Sequence, residues 1–117
     1  MSKRDTMLRA LRNELGSDYS ICVIDLERVL YRDFGNGFNV EISGVYTTKA
    51  AKPATLFLWY GSQFIVKTVR NVPREEIGKE VDALCSYTKQ LVTDGYDNGS
   101  ALLRMLYPEL KKEKRIQ

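Results

Sequence analysis

Four carboxylates on a predicted helix come nearest in this chain to a catalytic arrangement. They are Glu75, Glu76, Glu80 and Asp82, and Glu76 and Glu80 lie one helical turn apart. Paired carboxylates can perform general acid–base chemistry. However, the sequence has no histidine, which removes the usual general base, the usual metal ligand and every Ser–His or Cys–His pair. We interpret the carboxylates as a solvated helix face and predict a protein that is not an enzyme and needs no cofactor or metal ion.

Two short strings also resemble catalytic motifs. Asp33-Phe34-Gly35 matches the magnesium-binding string of protein kinases. A kinase needs a glycine-rich loop, a strand lysine and a catalytic aspartate as well, over roughly twice this length. Ser62 lies in Tyr-Gly-Ser-Gln, which lacks the second glycine of a nucleophile elbow. We therefore predict a turn at each string, with a two-residue hairpin loop at Gly61-Ser62.

Aromatic side chains are concentrated between residues 31 and 64, with basic residues close by. The aromatic set is Tyr31, Phe34, Phe38, Tyr46, Phe57, Trp59, Tyr60 and Phe64, and the basic set is Lys49, Lys52, Lys67 and Arg70. Such a mixture on a sheet could stack nucleobases or anchor a protein partner. The alternative is that most of these aromatic side chains fill the core and cover the sheet.

Phe57 and Trp59 are the exception, because side chains alternate between the two faces of a strand. If helices cover the face that carries Leu56 and Leu58, then Phe57 and Trp59 lie on the other face and need another cover. A partner or a second copy of the chain, hence a homodimer, could supply it. The residues predicted to bind the partner are Phe57, Trp59, Tyr60, Lys49, Lys52, Lys67 and Arg70.

The hydrophobic periodicity predicts the elements that position these residues. Residues 4–15 carry apolar side chains at helical spacing and end at Gly16, and a second, longer helix begins near Arg74 after Pro73. Four strands are predicted, at residues 18–25, 38–46, 56–60 and 64–69. Residues 26–32 fit either a helical turn or a continuing strand. A short helix after Ser100 completes the pattern.

The predicted fold class is α+β, in the order α-β-β-β-β-α-α. It has a four-stranded antiparallel sheet with the helices packed on one face. The length of 117 residues corresponds to one domain, which we place at residues 1–110, followed by a basic tail at residues 111–117.

The distribution of charge and the targeting signals of the chain limit which partners we expect. The two ends of the chain are net positive, whereas residues 17–103 are net negative, so the case for nucleic-acid contact is weak. No apolar run approaches the roughly 20 residues of a membrane span, and the N-terminus does not look like a secretory signal. With only two cysteines, a disulfide framework is not expected. These features predict a cytoplasmic protein without a membrane partner.

The string Tyr31-Arg-Asp-Phe-Gly lies within a longer stretch, residues 5–92, that resembles known sequences. Through this string, above all Tyr31, Asp33 and Phe34, that part of the chain resembles a family of small anti-CRISPR proteins that inhibit type II Cas9 nucleases. The long arginine- and lysine-rich N-terminal arm of that family has no counterpart here. The resemblance implies a non-catalytic inhibitor, encoded by a phage or mobile element, that binds a nuclease–RNA complex.

Two functions therefore follow from the sequence. The first is a small binding protein that docks an aromatic and basic sheet surface onto a protein or ribonucleoprotein. The second is a nucleic-acid-binding module that uses its basic ends and the loop with Lys49 and Lys52. Salt separates the two, because binding driven by phosphate contacts weakens steeply as salt rises.

Overall fold

The computed structural model describes residues 2–93. Its elements are the helix α1 (Lys3–Leu15), the strands β1 (Ser20–Ile24), β2 (Glu27–Asp33), β3 (Phe38–Ser43), β4 (Ala54–Tyr60) and β5 (Phe64–Val72), a 3-10 turn (Arg74–Glu76) and the helix α2 (Ile77–Thr93). The α+β class and the antiparallel sheet are as predicted. In the part that the structure describes, no helix is long and apolar enough to cross a bilayer.

The sheet has five strands, so the prediction of four was wrong. The strands are antiparallel and neighbours in sequence order, β1-β2-β3-β4-β5. The additional strand is β2, within the segment that the sequence left open between helix and strand. It is joined to β1 by a tight turn at Asp25 and Leu26, whose φ angles are 51° and 68°. The turn was missed because such turns usually carry glycine or asparagine, which tolerate positive φ.

Both helices pack against the same face of the sheet, which we call the covered face. Leu8 and Leu11 of α1, and Ile77 and Val81 of α2, share one buried cluster with side chains from the sheet. The sheet side chains of that cluster are Leu30, Phe38, Val40, Ile42, Ala54, Leu56, Leu58 and Val72. Their alternation along β3 and β4 places this cluster on one side of the sheet, whereas Val29, which is also fully buried, lies on the opposite side.

Local signals fix where the helices and the last hairpin begin and end. The Ser2 hydroxyl caps α1 by accepting a hydrogen bond from the backbone N–H of Asp5 (3.1 Å), and the helix ends before Gly16 as predicted. Pro73 precedes the 3-10 turn that leads into α2. Tyr60 pairs with Phe64, so the β4–β5 loop has three residues rather than the predicted two.

Several predicted features lie outside the described residues. They are the short helix after Ser100, the basic tail at residues 111–117 and the domain boundary at residue 110. Of the three predicted helices, the first two correspond to α1 and α2 within residues 2–93.

Candidate functional site: the open face of the sheet

The face opposite the helices, which we call the open face, is defined by the strand register. Tyr31 pairs with Glu41, Glu41 with Phe57, and Asn39 with Trp59, so that these side chains share one side of the sheet. On β1 to β4 the open face carries Ser20, Cys22, Ile24, Glu27, Val29, Tyr31, Asp33, Asn39, Glu41, Ser43, Thr55, Phe57 and Trp59. From β5, Ile65 pairs with Trp59 and Thr68 pairs with Phe57, which extends the face to the edge strand.

The aromatic pair on β4 lies where the alternation predicts. Leu56 and Leu58 are buried on the covered face, whereas Phe57 and Trp59 lie on the open face and are only half-buried. Across the hairpin, Ile65 adds an exposed apolar side chain next to Trp59. Neither of the described helices covers this group.

Two other predicted binding residues belong to the covered face. The Tyr60 ring packs against Phe38, with ring centroids 5.0 Å apart, and Tyr60 borders the buried cluster. The Lys67 ammonium lies 5.3 Å from the centre of the Tyr87 ring on α2. The alternation of β4 and β5 therefore separates Tyr60 and Lys67 from Phe57 and Trp59.

The remaining predicted basic residues are exposed. Lys49 and Lys52 are in the loop between β3 and β4. Arg70 follows Thr68 by two residues on the edge strand β5, so the alternation places it on the open face, diagonal to Phe57. The strands therefore place Phe57, Trp59 and Arg70 on the open face, and Tyr60 and Lys67 on the covered face.

On β1 to β4 the open face is acidic, where the sequence analysis expected a basic surface, and on the edge strand β5 it carries Arg70. Its positions on β1 to β4 include Glu27, Asp33 and Glu41 and no lysine or arginine. The arginines of β2 face the other way. Arg28 pairs with Asp5 of α1, and Arg32 pairs with Asp82 of α2 at 3.3 Å. A basic residue that is close to an aromatic residue in the sequence therefore need not lie on the same face of the sheet.

Tyr31 and Trp59 border an open cleft of about 520 Å³ on this face. The strand register explains the composition of the cleft, because Tyr31 lies directly opposite Glu41 and Trp59 lies opposite Asn39. The side chains that define it are Ile24, Tyr31, Asp33, Asn39, Glu41 and Trp59. The cleft therefore combines two aromatic rings with two carboxylates.

Glu41 is the central polar group of the cleft and is only 8% exposed. Its Oε1 accepts a hydrogen bond from the indole Nε1–H of Trp59 at 3.1 Å. Burial raises the pKa of Glu41, the Trp59 hydrogen bond opposes this, and repulsion from Glu27 and Asp25 adds to it. No salt bridge to Glu41 occurs among residues 2–93. The carboxylate is thus buried without a positive partner in that range.

The residues of the Tyr-x-Asp-Phe-Gly string divide between the two faces. Tyr31 and Asp33 border the cleft, and burial raises the pKa of the Tyr31 hydroxyl, with repulsion from Asp33 adding to the shift. Phe34 packs against the core, and its ring lies 5.4 Å from the Arg32 guanidinium. The Asp33 carboxylate accepts a hydrogen bond from the Gly35 N–H at 2.8 Å, which holds the turn that follows.

The side chains considered for catalysis do not assemble into a reactive site. Glu75 and Glu76 are exposed in the 3-10 turn, and Asp82 is paired with Arg32. Ser62 lies in the exposed β4–β5 loop. Among residues 2–93, no three side chains of the His, Cys, Asp and Glu types are grouped so that they could hold a metal ion.

Comparison of the chain with family models, with curated proteins and with solved structures finds no match in any of the three.

Sequence reasoning missed Glu41 and Asn39 as members of the site. The available signal was the strand alternation itself, which places Glu41 on the same side as Phe57 once β3 and β4 are paired. Tyr31 was included in the aromatic set and in the family string but not among the residues predicted to bind the partner, because β2 was not recognised as a strand.

Proposed function

We propose that this protein is a small non-enzymatic binding protein that docks the open face of its sheet onto another macromolecule. The observation that carries the proposal is the aromatic group at Tyr31, Phe57 and Trp59, which no helix covers among residues 2–93. Tyrosine and tryptophan dominate the energetics of protein interfaces because they bury a large area at little entropic cost. The cleft beside them supplies a concave feature into which a partner can insert a side chain.

A pair of matched aromatic truncations tests this proposal. Phe57→Ala removes a ring from the open face, and Tyr87→Ala removes a ring that is 37% exposed on α2. If the protein binds through the open face, Phe57→Ala should raise the dissociation constant of its complex with a purified partner tenfold or more. Tyr87→Ala should leave that constant unchanged. Equal effects of the two variants, or none from Phe57→Ala, would contradict the proposal. Thermal unfolding of both variants serves as the control for folding.

The first partner to test is a Cas9-type nuclease loaded with its guide RNA, which is the partner that the anti-CRISPR resemblance suggests. Two residues of the shared string, Tyr31 and Asp33, border the cleft of the open face. An inhibitor of this kind should bind the purified complex and slow DNA cleavage. Failure to bind would remove this partner and leave the docking face to be tested with others from the native host. Size-exclusion chromatography with light scattering tests whether a second copy is the partner.

Nucleic-acid binding is the second candidate, and it draws on a different part of the molecule. Arg4 and Arg28 place their guanidinium groups 6.0 Å and 5.5 Å from the Tyr46 ring, in the loop that also carries the exposed Lys49 and Lys52. Arg4 and the two lysines are the basic groups that such binding would use, because Arg28 forms an ion pair with Asp5. Binding through these groups would weaken by orders of magnitude between low and moderate salt. The open face is acidic on β1 to β4 and should repel phosphate groups. Docking of a protein partner through that face should therefore not show this steep loss of affinity as salt rises.

A further inference from the structure

We infer that the cleft of the open face receives an arginine side chain from the partner protein. This inference rests on the proposed docking function and specifies the chemistry of that same site. The side chains that carry it are the rings of Tyr31 and Trp59 and the carboxylates of Asp33 and Glu41.

The buried carboxylate of Glu41 is the first reason. A glutamate that is only 8% exposed normally has a charged partner, because removing an unpaired charge from water is costly. Among residues 2–93, Glu41 has a hydrogen bond from the neutral indole of Trp59 and no salt bridge. A carboxylate offers about four acceptor positions, so that one such bond does not exhaust its capacity. A cation in the cleft would supply the missing charge.

The two aromatic rings are the second reason. Tyr31 stands directly opposite Glu41, and Trp59 is held beside Glu41 by its own N–H. Rings on both sides of a carboxylate suit a cation, which is attracted to the ring faces as well as to the negative charge. Asp33 adds a second carboxylate at the rim, and the cleft residues that define it include no lysine or arginine.

The shape of the ligand follows from the same groups. A guanidinium is planar, stacks on aromatic rings and forms paired hydrogen bonds with carboxylates. An ammonium is a compact, strongly hydrated point charge and gains less from stacking. We therefore expect arginine to bind more tightly than lysine.

Trp59 is the sole tryptophan of the chain, so its fluorescence reports on the cleft alone. The full-length protein is titrated with the capped tripeptide Gly-Arg-Gly and with matched peptides that carry lysine or citrulline. Citrulline keeps the shape of arginine but has no charge. We expect a saturable change with arginine, with a dissociation constant on the order of 1–10 mM, as is reasonable for one side chain. Lysine should bind more weakly, and citrulline should give no saturable change.

Two conservative variants and one control locate the binding. Glu41→Gln keeps an oxygen for the Trp59 hydrogen bond and should weaken arginine binding about tenfold or more. Asp33→Asn keeps an acceptor for Gly35 and should weaken it less. Glu14→Gln removes the same charge from an exposed position on α1 and should have no effect. Equal binding of citrulline, no response to arginine, or equal losses in Glu41→Gln and Glu14→Gln would overturn the inference.

The basic residues of the chain's own C-terminal segment are the competing source of a cation. Replacing Arg104, Lys111, Lys112, Lys114 and Arg115 by glutamine should leave Trp59 emission unchanged when no peptide is present. A clear change would overturn the inference in favour of an internal occupant. These results are separable from the proposed function. If Phe57→Ala weakens binding to a partner but the cleft does not bind arginine, the proposed docking function is supported and the arginine inference is wrong.

Discussion

The two faces of the sheet are built from the same strands but differ in both packing and charge. On the covered face, aliphatic side chains such as Leu56 and Leu58 are fully buried under α1 and α2. On the open face, their neighbours Phe57 and Trp59 are half-exposed and lie next to carboxylates. Within residues 2–93, β4 is therefore apolar on both faces but is covered by helices on one face only.

Charge is divided in the same way. Arg28 and Arg32 of β2 face the helices and form ion pairs with one helix each, whereas Asp33 and Glu41 border the cleft on the opposite side. The net charge of +3 for the whole chain therefore does not describe the surface that we propose for docking. A partner for the open face should carry a positive or neutral apolar patch.

The largest expected effect comes from truncating neighbouring residues on the two faces. Leu58→Ala empties a fully buried site and should lower the free energy of unfolding by about 2–5 kcal/mol. Phe57→Ala removes a half-buried ring and should cost about 1–2 kcal/mol. Urea denaturation of both variants measures the difference. If Phe57→Ala costs as much as Leu58→Ala, the open face is covered in the full chain.

A smaller effect is expected at the exposed β1–β2 turn. Leu26 is fully exposed and has a φ angle of 68°, a conformation that is costly for leucine and favourable for glycine. Leu26→Gly should therefore raise the free energy of unfolding by about 0.5–1 kcal/mol. Thermal or urea unfolding measures the gain. A loss of stability would mean that the Leu26 side chain has a contact in the full chain.

The smallest effect is a pH dependence from Glu41. Burial raises its pKa in the folded state, so its ionisation opposes folding, and this penalty grows as the pH rises above the unfolded-state value. The carboxyl groups of Glu27 and Asp25 contribute to the same shift, and Asp33 and Tyr31 also border the cleft. Glu41→Gln should be more stable than the natural protein at pH 7 and equal to it near pH 3.5.

Unfolding midpoints across this pH range test that expectation, with Glu14→Gln as the control for net charge. Should the natural protein instead be the more stable one at pH 7, Glu41 must have a positive partner within the chain. That outcome would also favour the internal occupant of the cleft.

The sequence predicted the covered face better than the open one. Alternation in β3 and β4 was sufficient to predict that Phe57 and Trp59 share a side away from Leu56 and Leu58. The β1–β2 hairpin was not recognised, because Asp25 and Leu26 form a turn without glycine and Leu26, Val29 and Leu30 fit helical spacing equally well. The residues predicted to bind the partner divide between the two faces for a related reason: they were grouped by proximity in sequence, whereas β4 and β5 alternate.

Selective quenching of Trp59 tests most directly the claim that the open face is accessible and acidic. In the full-length protein without a partner, the quenching constants of Cs⁺ and I⁻ are each divided by the constant for N-acetyltryptophanamide at the same ionic strength, and we expect the larger ratio for Cs⁺. The acidic cleft should concentrate the cation and repel the anion, and acrylamide should quench as a neutral reference. A larger normalised ratio for I⁻, or protection of Trp59 from all three quenchers, would contradict the account.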